Sequence, residues 1–216
     1  MKGDNIIIDD NNIQLAKEII PHIIDRIKAK DGRYIISVAG ESGSGKSTNG
    51  KALEQILSSM GIKSKLIGQD DYFVLPPKSN DARRREDSEW LGPHVEVNML
   101  LMDRHLVQAI SGVNTFVKPL VDYYANSVED ETVDLTDVKV ILAEGTYTSL
   151  LKHVDTRIFM AGTRVDTLQL RKNRNRGSEA NDPFVEEILK TEHKIIAGHA
   201  LLADIVVTKD FEVVVK

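Results

Sequence analysis

Tyr34-Ile35-Ile36-Ser37-Val38-Ala39-Gly40-Glu41-Ser42-Gly43-Ser44-Gly45-Lys46-Ser47-Thr48 is the stretch that decides the fold. Its apolar first part reads as a buried strand, and it runs directly into the spacing G-x-x-x-x-G-K-[ST]. Behind it Leu53, Ile56, Leu57 and Met60 recur at helical spacing until Gly61 supplies a stop. Strand, glycine loop and helix in that order predict a phosphate-binding loop. The glycines let the backbone wrap closely around a polyphosphate, so that consecutive N–H groups and a helix N-terminus face its oxygens. Gly40, Ser42, Gly43, Ser44, Gly45, Lys46, Ser47 and Thr48 are therefore the expected nucleotide contacts. Lys46 would neutralise the β- and γ-phosphates, and Ser47 would offer its hydroxyl to Mg²⁺.

With 216 residues the chain suits one α/β domain with a substantial core. A net charge of -5 argues against a general nucleic-acid binder, which shows a basic face. Cysteine is absent, which excludes a disulfide framework, a thiolate metal site and a cysteine nucleophile. No His/Asp cluster has the spacing of a transition-metal site. No run reaches the apolar length of a membrane span, and MKGDNIIIDDNN turns acidic where a signal peptide continues apolar. The expectation is a soluble, cytoplasmic protein with no membrane partner.

Apolar runs at 34–39, 64–68, 138–143, 156–161 and 204–208 alternate with helical patterns, and 211–215 reads as an edge strand. The expected fold class is α/β: a P-loop NTPase three-layer sandwich with a mainly parallel central sheet, helices on both faces and a helical lid. Residues 1–33 read as an N-terminal helical extension, with Ile13, Ala16, Ile20, Ile23 and Ile27 on one face and a kink at Pro21. Residues 34–216 form the P-loop domain proper. The charged stretch 76–93, with its run Arg83-Arg84-Arg85-Glu86-Asp87, reads as a long connection, a length usually kept for function.

The other motifs decide what a bound nucleotide serves. Thr208-Lys209-Asp210 has its aspartate one place early for a guanine reader, which argues against a switch GTPase. The second strand ends in Gln69-Asp70-Asp71-Tyr72-Phe73, at the carboxyl edge where open α/β sheets bind ligands. One of the two aspartates is placed to accept a hydroxyl proton; the alternative is that both only cap the strand end. The strand 138–143 delivers Glu144-Gly145 to the same edge, where a carboxylate can hold Mg²⁺ or simply suit a helix start. In Arg171-Lys172-Asn173-Arg174-Asn175-Arg176-Gly177, Arg171 and Arg174 share a helical face with Arg176 just beyond, which reads as a solvated helix end or as a lid that closes over phosphates.

GESGSGKST, QDDYF, KPLVDYY, VILAEGTY and the arginine-rich segment, in this order, resemble the uridine kinase and phosphoribulokinase group of P-loop kinases over roughly residues 34–208. The resemblance implies transfer of the γ-phosphate of ATP, with Mg²⁺, to a hydroxyl of a small molecule, a nucleoside such as uridine or cytidine being favoured over a sugar phosphate, pantothenate or glycerate. It makes Asp70 the general base, Glu144 the Mg²⁺-linked acid and Arg171 and Arg176 lid arginines that stabilise transferring charge, with Arg174 added by its shared helical face with Arg171. It places Asp122 and Tyr123 at the acceptor, with Asn126 beside them and His94, Trp90 and Glu96 in the same region; Tyr72, two places after Asp70, reads either as a further acceptor contact or as core packing. Val121 stands where uridine kinases carry a tyrosine, and Asn126 near the place of a histidine. Relatives are often oligomeric, so a homo-oligomer is compatible with the resemblance, though no stretch identifies an interface. The alternative from another class is a nucleotide-binding regulatory module without acceptor turnover. His193 and His199 read as structural or surface groups.

Overall fold

A computed structural model describes residues 1–3, 6–163, 165–166 and 182–216. Its centre is a six-stranded sheet in the order β2-β5-β1-β6-β7-β8. The strands are β1 (Tyr34–Gly40), β2 (Ser64–Gly68), β5 (Val140–Glu144), β6 (Thr156–Met160), β7 (Ile205–Val207) and β8 (Val213–Val215). All pairings are parallel except that of β8, which runs antiparallel to β7 along the edge. A separate antiparallel hairpin joins β3 (Thr115–Asp122) to β4 (Ser127–Asp134). The described helices are α1 (Asp10–Ile19), α2 (Ile24–Ala29), α3 (Lys46–Ser59), α4 (Pro77–Glu86), α5 (Met99–Ile110) and α6 (Pro183–Ile196).

The period of two along β1 builds a layer on each face of the sheet. Ile36 and Val38 face a core shared with α1, α2 and α3, whereas Ile35 belongs to a core made with Met102 and Leu106 of α5 and with Phe116 and Val133 of the hairpin. This is the expected mainly parallel sandwich with helices on both faces. The N-terminal helices put Leu15, Ala16, Ile19, Ile20, Ile23 and Ile27 into the first of these cores. The break at Pro21 is a 3₁₀ turn over Ile20–His22 that separates α1 from α2.

Two elements differ from the sequence expectation. The stretch 76–93 is not a bare connection, because Pro77–Glu86 is helical, with Pro77 at its first position. The hairpin was not among the expected strands at all. Its tight turn at Asn126 (φ 52°) accounts for the link between the two departures: Asn126 Oδ1 accepts from the backbone N–H of Lys78 at 2.8 Å, capping α4 from the hairpin.

Candidate active site

The loop after β1 takes conformations that favour glycine: φ is 150° at Gly40, 84° at Gly43 and 89° at Gly45. A Cβ on Gly40 would lie 2.6 Å from the Met160 carbonyl oxygen and 2.7 Å from Ser44 Oγ, so no side chain fits there. Lys46 is buried and its Nζ donates to the Glu41 carbonyl at 2.7 Å, across the loop. Ser44 Oγ is buried without a hydrogen-bond partner among the described residues. A left-handed glycine cradle, a buried ammonium and a hydroxyl with no partner together fit a polyphosphate. Ser42, Ser47 and Thr48 are half-buried on the same loop and first turn of α3.

β5 ends one strand away, in register: Val38 pairs with Glu144, and so does Gly68 of β2. Ser47 Oγ donates to Glu144 Oε2 at 3.0 Å, which brings together the two residues expected at the metal. Both offer hard oxygen donors of the kind Mg²⁺ takes. Burial first, then the charge of Asp70, pushes the Glu144 carboxyl up to about 7, against Lys46 and the Ser47 hydrogen bond. A cation at these oxygens would favour the ionised carboxylate. Among the described residues no group of three or more His, Asp or Glu side chains is set to hold a metal ion. No described helix is long and apolar enough to cross a membrane.

The adjacent aspartates after β2 have different surroundings. Asp71 is buried: Lys118 Nζ lies 2.6 Å from its Oδ2, and the Val121 N–H donates to its Oδ1 at 3.0 Å. Asp70 is half-buried and lines a cavity of about 220 Å³ beside the loop. Ser42, Arg84, Tyr123, Thr146 and Glu192 share that wall, with Phe73, Leu75, Val121 and Leu189 as its apolar part. Gln69, not among the expected site residues, braces the edge. Its Oε1 accepts from the Tyr147 N–H at 2.7 Å, and its side chain fills the space a Cβ on Gly145 would need.

The expected acceptor residues divide. Asp70 and Tyr123 reach the cavity. Tyr72 does not: it is 1% exposed, its hydroxyl meets His105 Nδ1 at 2.9 Å, and burial pushes its pKa up. His94 is exposed on the surface and is not among the residues of the cavity wall. Asp122 accepts from the Ala125 N–H at 2.8 Å and pairs with Lys2 at 3.0 Å, and these contacts hold its carboxyl below the usual range. Asn126 is committed to α4. Arg171, Arg174 and Arg176 lie outside the described residues.

Sequence reasoning also missed Arg84, Asp81 and Glu192, which line the cavity. Arg84 sits inside a run of three arginines that looked uniform; its distinguishing partner is Glu96, which is 0% exposed and accepts from Arg84 Nε at 2.7 Å. Asn80 Nδ2 and the Gly92 N–H also donate to Glu96, and Trp90 Nε1 donates to Asn80, so Trp90 and Glu96 hold Arg84 in place from behind. Glu192 had no signal beyond its position on a helix.

The match to known proteins settles the family. The model for the phosphoribulokinase/uridine kinase family matches residues 35–174. The chain belongs to this family. Among curated proteins it is similar to the bifunctional alpha-galactosidase/sucrose kinase AgaSK of Mediterraneibacter gnavus, 28% identical over 83% of this chain and 20% of that protein. The chain thus spans a fifth of that relative's length. Solved structures of like fold include phosphoribulokinase from Rhodobacter spheroides, with a TM-score of 0.63 at 14% identity over 82% of this chain and 70% of that one. D-glycerate 3-kinase from Cryptococcus neoformans var. grubii has a TM-score of 0.60 at 11% identity, covering 95% and 98%. The family is one of P-loop kinases, and the fold and phosphate-binding loop of this chain are those of that family.

Proposed function

We propose that this kinase uses Mg·ATP to phosphorylate a hydroxyl of a neutral, sugar-like acceptor. The observation that carries this reading is the charge of the cavity. Asp70, Asp81 and Glu192 line it, and its two cationic groups, Arg84 and the Met1 amino group, are paired with Glu96 and Asp71 respectively. Carboxylates accept hydrogen bonds from hydroxyl groups and repel anions, which disfavours a sugar phosphate, glycerate or pantothenate. The similarity to a protein named as a sucrose kinase supports the same class. A nucleoside, which is also neutral, is the second reading. Tyr123 on the cavity wall favours it, since an aromatic face suits a base.

In this mechanism the loop 40–48 cradles the phosphates, with Lys46 on the terminal ones. Ser47 and Glu144 would hold Mg²⁺, whose charge neutralises the β- and γ-oxygens when bound. Asp70 takes the proton of the acceptor hydroxyl, whose oxygen forms the new bond to the γ-phosphorus while the bond to the β–γ bridging oxygen breaks and ADP leaves. Arg171, Arg174 and Arg176 are proposed to close over the transferring charge. ATP consumption against a panel of sucrose, fructose, uridine, cytidine, ribulose 5-phosphate, pantothenate and glycerate tests the reading, with Lys46→Ala as the blank. Turnover with a sugar is expected. Turnover with a nucleoside establishes the second reading, and turnover confined to the anionic compounds overturns the charge argument.

A further inference from the structure

α6 places two consecutive residues against the phosphate-binding loop. Glu192 Oε1 accepts from the Ser42 N–H at 2.8 Å, and His193 Nδ1 meets Glu41 Oε1 at 2.5 Å. Glu192 is 8% exposed, and its second carboxylate oxygen has no hydrogen-bond partner among the described residues. The residue lines the same cavity as Asp70. Its burial pushes its carboxyl above the usual range, opposed by the charge of Lys46 and the Ser42 hydrogen bond.

The position of Ser42 gives this contact a meaning. Ser42 lies where the loop meets the cavity that Asp70 also lines. An acceptor in that cavity attacks the terminal phosphorus, so the loop atoms on that wall face the γ-phosphate, away from the α- and β-phosphates. A carboxylate held on the Ser42 amide therefore takes an N–H that a γ-phosphate oxygen would use. It also sets a buried negative charge beside the phosphoryl oxygens, where repulsion is screened less than between exposed charges.

We propose that Glu192 is a positioning residue that sets the balance between ATP and ADP: its carboxylate competes with the γ-phosphate for the Ser42 N–H until an acceptor hydroxyl donates to its second oxygen. The inference rests on the reading of loop 40–48 as the nucleotide site. In the absence of acceptor the γ-phosphate is poorly seated, which limits transfer to water. With acceptor bound, one of the two carboxylate oxygens is engaged by a hydroxyl, and the competition for the amide eases.

The test needs no knowledge of the acceptor. The dissociation constants of Mg²⁺ complexes of ADP and of the non-hydrolysable β,γ-imido analogue of ATP are measured by calorimetric titration of the wild type, Glu192→Gln and Glu192→Ala, with urea unfolding as the check on folding. The glutamine keeps an oxygen for the Ser42 N–H and removes the charge. The expected result is that Glu192→Gln binds the triphosphate analogue about 10-fold more tightly while ADP changes by less than about twofold. Glu192→Ala should shift the ratio in the same direction. An unchanged triphosphate-to-diphosphate ratio in both variants overturns the proposal. So does parallel weakening of both nucleotides in the alanine variant that glutamine restores, which is the signature of a strut for the loop. A wild type that binds neither nucleotide refutes the nucleotide site itself, an outcome distinct from binding with an unmoved ratio.

Discussion

Asp70 and Asp71 are neighbours in sequence with opposite environments, and each substitution should read out a different property. Asp71 and Lys118 are each about 5% exposed at the side chain and 2.6 Å apart, so Asp71→Ala leaves a buried ammonium with the partly exposed Glu131 as its remaining counter-charge and the Pro119 carbonyl as a neutral acceptor. It should destabilise the fold by about 3 kcal/mol, measured as a lower urea midpoint. Asp70→Asn leaves the core untouched. As the proposed base, its loss should lower kcat by about 10²- to 10⁴-fold while the affinity for Mg·ATP stays nearly constant. Unchanged turnover in Asp70→Asn would remove the base assignment. The residues alone left the two aspartates equivalent and only the family resemblance singled out Asp70, because what separates them physically is Lys118, a residue from the unforeseen hairpin.

At the level of elements, legibility followed the period of the apolar residues. The strands β1, β5 and β7 are apolar almost throughout, β2 and β6 keep an apolar half beside one charged residue each, and the loop after β1 is fixed by glycine spacing, so all were legible. The helix α4, PKSNDARRRE, has no apolar stripe, and it is held by the Asn126 cap and by Arg84 on Glu96, contacts from distant parts of the chain. β3 contains Pro119 and β4 is the acidic SVEDETVD, patterns that argue against strands until they pair with each other. Tyr72 stayed open between acceptor and core for the same reason: its partner His105 lies on α5, and the two meet only in the core. That contact has a pH consequence. Burial first, then the charges of Lys118 and Arg104, holds the His105 imidazole below its ordinary 6.5. The folded protein keeps it neutral where the unfolded chain takes up a proton, so the contribution is complete above 6.5 and is lost as pH falls below it. Glu144 and Glu192, whose carboxyls burial pushes up, act in the opposite sense and are common to the wild type and a His105→Gln variant, so the readout is a difference in slope. From pH 7.5 to 5 the urea midpoint of the wild type should fall relative to that of His105→Gln, which can still bond the Tyr72 hydroxyl but does not titrate; equal slopes would remove His105 as a contributor.

For the whole molecule, the two faces of the sheet are not equally provided for by the P-loop domain alone. Residues 1–33, proposed as an extension packed on that domain, supply Leu15, Ile19, Ile20, Ile23 and Ile27 to the core beneath α3 and β1. At roughly 1.5–3 kcal/mol per buried aliphatic side chain, their removal is comparable with the whole stability of a typical domain, about 5–15 kcal/mol. Deleting residues 1–30 should therefore abolish cooperative unfolding and expose a dye-binding apolar face, whereas a cooperative transition in the truncated chain would make the extension dispensable. The strand order has a consequence during translation. β1 sits between β5 and β6, and its first partner residue, Val140, is made long after Tyr34. At about 5–20 residues per second, the ribosome leaves the apolar stretch Tyr34–Gly40 without either neighbour for roughly 5–20 s. The nascent chain thus carries an uncharged, sticky segment through about half of its own synthesis, and chaperone supply in the producing cell becomes a determinant of yield.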